Sequence, residues 1–151
     1  LPQVMLSAEA MREAFIKIKE RIPSDSVSNK GTIVIATVKG DIHDLGKNIV
    51  SALLENNGFK VIDLGKDIDK EEIIKAAIDN KADMIGLCSL MTTTITQIDE
   101  VIAELNKSEY STKVMIGGAV VTQEYADNVG ADAYAPDGVE AVEIAKKLIN
   151  K

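Results

Sequence analysis

With 151 residues the chain has the length of one domain, or of one domain with a small appendage, which excludes two large domains. Apolar residues make up 46% and charged residues 27%, a balance that supports a buried core and is unlike a disordered chain. The net charge of −7, the absence of any basic run and the presence of only five aromatic residues argue against a nucleic-acid surface, which needs cations for phosphates and rings for bases.

The chain opens on Leu1 rather than Met, the expectation being that it was cut from something longer. Residues 3–22 place Val4, Leu6, Met11, Phe15, Ile18 and Ile22 at three- and four-residue steps among charged side chains, the pattern of an amphipathic helix. Residues 23–30, with Pro23, three serines, Asn29 and Lys30, have the composition of a linker, and a boundary is expected at about residue 30.

From residue 31 the pattern alternates between β and α five times. Residues 32–38 form a short β-branched run between Gly31 and Gly40 that reads as a strand buried on both faces. A helix over 46–57 stops at Gly58, residues 60–64 give a second strand, and Asp69 is placed to cap the next helix. Residues 84–88 are the third strand, followed by a helix over 94–106 for which one of Thr92, Thr93 and Thr94 is the expected cap. Residues 113–116 are the fourth strand, 122–129 a short helix, 133–135 the last strand and 138–150 the final helix.

This alternation predicts an α/β fold: a doubly wound, five-stranded parallel sheet, flavodoxin-like, in the order 2-1-3-4-5. Such sheets bind ligands beyond the carboxyl ends of their strands, where connections leave toward opposite faces. Topology therefore directs attention to residues 39–46, 64–69, 88–94, 117–121 and 135–138 before any motif is considered.

The loop after the first strand holds His43, the only histidine, two residues after Asp41. A ligating imidazole gives its other N–H to a carboxylate or carbonyl, so the two can make a ligand and its partner; the plainer alternative is a surface histidine in a polar loop. The loop after the third strand offers the Cys88 thiol with the hydroxyls of Ser89, Thr92, Thr93 and Thr94. Gly117, Gly118 and Gly138 let backbone approach a ligand closely, although tight turns use glycine as well.

Dinucleotide and P-loop fingerprints are absent, as is the nucleophile elbow of the α/β-hydrolases. Cys88 as nucleophile with His43 as base competes with an inert thiol ending a buried strand. A receiver-like phosphoacceptor module would need an acidic acceptor where Cys88 stands. The lone cysteine also excludes an internal disulfide and a multi-cysteine zinc site, and no signal peptide or membrane span is evident, so a reducing, cytoplasmic location is expected.

Asp41-x-His43-x-x-Gly46, the run from Cys88 to Thr94, and Gly117-Gly118 together resemble the signature of the cobalamin-binding domains of methionine synthase and of the corrinoid proteins of methyltransferase systems. The run Leu90–Thr94 and the ending from Tyr134 to Val142 are more similar to the corrinoid proteins. Residues 1–22 resemble the last part of the helical cap domain that precedes the Rossmann-like domain in both branches. The implied organisation is a cap remnant over 1–22, a linker over 23–30 and a corrinoid-binding domain over 31–151.

The resemblance implies cobalamin or a related corrinoid as cofactor, with His43 as lower cobalt ligand in place of the cofactor's own base. Asp41 would be its hydrogen-bond partner and Thr94 the hydroxyl that closes the relay. The residues Gly40, Ile42, Asp44 and Gly138 would lie against the cofactor, and its displaced nucleotide tail would run past Gly46, Cys88, Ser89, Thr92, Gly117 and Gly118. Leu1 and Val4 would lie near the upper face. The methionine synthase branch has serine at the positions of Cys88 and Thr94, so Ser89 is expected to take over a tail contact from the thiol.

The implied function is a methyl carrier, not a complete enzyme alone, that accepts a methyl group on cobalt from a substrate-specific methyltransferase. It would deliver that group to a second methyltransferase, with an acceptor such as tetrahydrofolate or a thiol. The alternatives are a cobalamin-binding fragment of methionine synthase and a B12-sensing regulatory module. Homo-oligomerisation is left open, and neither nucleic acid nor membrane is expected as a partner.

Overall fold

In the computed structural model, residues 30–149 are described. The helix expected over 3–22, most of the linker, and the expected cofactor contacts Leu1 and Val4 lie outside them.

Five strands, β1 (Thr32–Val38), β2 (Lys60–Ile68), β3 (Met84–Cys88), β4 (Lys113–Gly117) and β5 (Ala133–Tyr134), pair in parallel in the order β2-β1-β3-β4-β5. They alternate with α1 (Leu45–Asn56), α2 (Lys70–Asp79), α3 (Thr96–Ser108), α4 (Gln123–Val129) and α5 (Gly138–Leu148). This is the expected doubly wound sheet, and β1 is buried from Ile33 onward, as its unbroken apolar run requires.

Alternation along the strands divides the core in two. Val34, Ala36, Ile85, Leu87, Val114 and Ile116 face one side, where they pack with Ile73 and Ala77 of α2, Ile98 and Val101 of α3, and Ala126 of α4. Ile33, Met84 and Met115 face the other, against Leu54 of α1 and Ala141, Val142 and Ala145 of α5. Each large side chain so buried contributes about 1.5–3 kcal/mol of transfer free energy.

Three local readings are corrected. β2 continues four residues past Leu64, because a slip in its pairing with β1 between Asp63 and Gly65 lets it run on beside the loop that follows β1. None of the three threonines caps α3: the helix begins at Thr96, Ile95 precedes it in helical conformation without a side-chain cap, and the Thr94 hydroxyl is drawn elsewhere. Asp69 does precede α2, but its carboxylate pairs with Lys39 Nζ at 2.6 Å instead of capping the helix. By contrast, Thr122 and Asp137 cap α4 and α5, accepting from Tyr125 N at 3.1 Å and Glu140 N at 2.9 Å.

Candidate corrinoid site

The loop between β1 and α1 is folded around the carboxylate of Asp41, which is fully buried. Its Oδ1 accepts from His43 N at 3.0 Å and lies 2.7 Å from His43 Nδ1. Its Oδ2 accepts from Leu90 N at 2.8 Å and from Thr94 Oγ1 at 2.9 Å, so one side chain ties the β1 loop to the β3 loop. Ser89 Oγ stands 2.9 Å from Thr94 Oγ1 and extends the chain by one hydroxyl. A further anchor comes from Thr37, whose hydroxyl donates to the His43 carbonyl at 2.9 Å.

Burial works to raise the pKa of Asp41, but the bonds from Leu90 N–H, the His43 backbone and ring, and the Thr94 hydroxyl outweigh it and hold the carboxyl at about 2. The group is therefore ionised at neutral pH and can only accept. In the neutral ring, Nδ1 of His43 then carries the proton and Nε2 the lone pair. The His43 side chain is 47% exposed, so this lone pair belongs to a pinned but accessible ring.

Beside this loop, on the α1 and α5 face of the sheet, lies a cavity of about 480 Å³. Its origin is in the side-chain volumes of successive rows across β1, β3 and β4. The first row on that face is Ile33 and Met84, which are large; the next is Ile35, Gly86 and Met115; the last is Thr37, Cys88 and Gly117. Side-chain volume thus falls toward the carboxyl ends, and a slot opens there between the sheet and the two helices. Gly46, Cys88, Gly117, Gly118 and Gly138, five of the expected cofactor contacts, line it.

Gly118 has φ +125, and a Cβ there would sit 1.9 Å from the Ser89 carbonyl oxygen, so glycine is needed to let the β3 and β4 loops touch. Gly46 is different. Its backbone is ordinary helix and a Cβ would meet nothing within 4 Å among the described residues, none of which requires glycine where α1 borders the slot.

Asp41, His43, Ser89 and Thr94 form one connected group, with Gly40, Ile42 and Asp44 in the same loop; these residues lie outside the slot lining. Ile42 is 67% exposed, an apolar side chain presented at the site. Thr92 is exposed and is not part of the slot lining. Burial pushes the Cys88 thiol up to about 12, which disfavours the thiolate that a nucleophile needs. Sequence reasoning missed Lys47, which lines the slot at 2% exposure because Asp63 reaches it from β2 and accepts at 2.6 and 2.7 Å. A lysine in the first turns of an amphipathic helix gives no sign of such burial.

The fold and this site define a corrinoid-binding domain: residues 31–145 match the B12 binding domain family, and the chain belongs to it. Its cofactor is cobalamin or a related corrinoid. Among its relatives is dimethylamine corrinoid protein 1 of Methanosarcina acetivorans, 48% identical over 99% of this chain and 71% of that protein. The solved monomethylamine corrinoid protein of Methanosarcina barkeri superposes with a TM-score of 0.83 at 33% identity, covering 98% of this chain and 71% of that one. A chain of the methanol:cobalamin methyltransferase complex of the same organism gives 0.78 at 38% identity, covering 99% of this chain and 57% of that one.

The residues present fit this cofactor. The corrin ring brings four nitrogens of its own, so one pinned imidazole with a free lone pair is a sufficient protein ligand. No cluster of three or more His, Cys, Asp or Glu that could hold a bare metal ion occurs among the described residues. Gly46 keeps clear a space that the described residues leave empty. No helix among the described residues is long and apolar enough to cross a membrane.

Proposed function

We propose that this chain is a methyl carrier that receives a methyl group from a substrate-specific methyltransferase and passes it to a second enzyme, whose acceptor is tetrahydrofolate or a thiol. Support comes from the methylamine corrinoid proteins among its relatives and from its likeness to a chain of a methyltransferase complex. The same likeness favours this reading over a methionine synthase fragment or a sensor. The bound corrinoid supplies a cobalt that takes up and releases the methyl group, chemistry that the polypeptide lacks.

The observation that carries the reading is the geometry of His43, with Nδ1 on a buried, ionised carboxylate and the ring half exposed in the loop beside the slot. In this assignment His43 is the lower ligand, Asp41 fixes its tautomer and orientation, and Thr94, backed by Ser89, keeps Asp41 ionised. The slot holds the displaced nucleotide tail along Gly46, Cys88, Gly117, Gly118 and Gly138, while Gly40, Ile42, Asp44 and Thr92 contribute from the loops around it. Because the His43 ring is half exposed, replacing it removes a ligand and little packing. His43→Ala should therefore bind corrinoid but shift its visible spectrum to that of a water-ligated, base-off form. A variant with the wild-type spectrum would remove His43 from the ligand position.

A further inference from the structure

A second carboxylate, on β2, is directed at the same loop. We infer that Asp67 is a positioning residue that holds the backbone before His43 in its ligating geometry, an inference that rests on His43 being the lower ligand.

The pairing of β1 and β2 slips near their carboxyl ends. Ile35 pairs with Asp63 but Ala36 pairs with Gly65, which leaves Leu64 as an extra residue. Asp63 secures the slip by accepting from Gly65 N at 2.9 Å with the oxygen that also receives Lys47 Nζ. Beyond it β2 runs alongside the His43 loop, and Asp67 turns into the left-handed region with φ 56, a conformation that few side chains other than Asn and Asp tolerate.

In that conformation Asp67 makes two bonds to the loop. Its N–H donates to the Asp41 carbonyl at 3.1 Å, and its Oδ1 accepts from Gly40 N at 2.7 Å. Gly40, with φ +84, is the hinge by which the chain enters the loop, and glycine alone would leave that hinge loose. The Asp67 clamp removes this freedom. Asp41 can reach His43 on one side and Leu90 and Thr94 on the other only while its own backbone is held, so Asp67 acts on the imidazole through Asp41.

The test compares wild-type chain, Asp67→Asn, Asp67→Ala, Asp67→Gly and His43→Ala, each loaded with cobalamin, reduced to Co(II) and measured at one pH by electron paramagnetic resonance. Splitting of the cobalt signal by a ligating nitrogen, threefold with unlabelled and twofold with nitrogen-15-labelled histidine, separates His43-ligated protein from water-ligated protein and from protein whose cofactor keeps its own base. Asparagine keeps an acceptor oxygen and tolerates the backbone, whereas glycine relieves the backbone and removes the acceptor. The ligated-to-unligated ratio should fall about tenfold in the alanine and glycine variants, the cost of one charge-assisted hydrogen bond. It should stay within about twofold in the asparagine variant, and cobalamin retention should be unchanged in all three, since the slot is untouched. The inference is overturned if alanine and glycine behave as wild type, or if alanine lowers the ratio and glycine does not, because backbone strain would then be the cause. If wild type and His43→Ala give the same signal, the lower-ligand reading fails and takes this inference with it.

Discussion

Asp41 is where the folding of the site and its chemistry meet, since four donors from two loops converge on one buried carboxylate. The same bonds that orient His43 lower the Asp41 pKa to about 2, and this fixes a pH dependence. A carboxyl whose pKa is depressed by folding stabilises the native state fully above its unfolded value near 4, and the contribution is lost as pH falls toward the folded value. For Asp41 it amounts to about 2 kcal/mol. Urea unfolding of the cofactor-free chain at a series of pH values should show Asp41→Asn less stable by about that amount at pH 7. The difference should shrink between pH ~4 and ~2. A gap that stays constant across that range would mean that the Asp41 charge does not support the loop.

At the scale of elements, most of the architecture was legible. Short apolar runs alternating with helical patterns marked the strands, and topology alone pointed to the carboxyl-end loops. What escaped depended on contacts between elements. The extension of β2 rests on a slip stabilised by Lys47 of α1, and no property of residues 65–68 taken alone marks them as strand. The neighbours of Thr94 made it one of three candidate caps, while the resemblance alone offered it as the hydroxyl of the relay; its hydroxyl goes to Asp41, 53 positions earlier. In the other direction, the motif at Gly46 was legible while its reason was not, until the structure showed a helical glycine with open space above it. A Gly→Ala change inside a helix stabilises by roughly 0.5–1 kcal/mol where nothing clashes. Gly46→Ala should therefore leave the cofactor-free chain as stable as wild type or more so, while weakening cobalamin binding at least about tenfold, the loss expected when a methyl group fills a tight contact. Equal affinities in calorimetric titration would mean that the cofactor does not pass Gly46.

For the molecule as a whole, the sheet supplies a rigid back wall, α1 and α5 supply the sides of the slot, and the loops at one end supply the ligand. Each of these follows from the winding of helices onto both faces and from the small side chains of β3 and β4 near their carboxyl ends. The carrier reading depends on one atom in this assembly, Nε2 of His43. Since the 151-residue chain has a single histidine, labelling it with nitrogen-15 marks only one protein nitrogen source that can ligate as imidazole. The decisive measurement is the electron paramagnetic resonance spectrum of the cobalamin-loaded chain in the Co(II) state, grown with labelled and with unlabelled histidine. Ligation by His43 predicts that the threefold nitrogen splitting of the unlabelled sample becomes twofold in the labelled one. A threefold splitting that persists with the label would show that the cofactor keeps its own base and contradict the account.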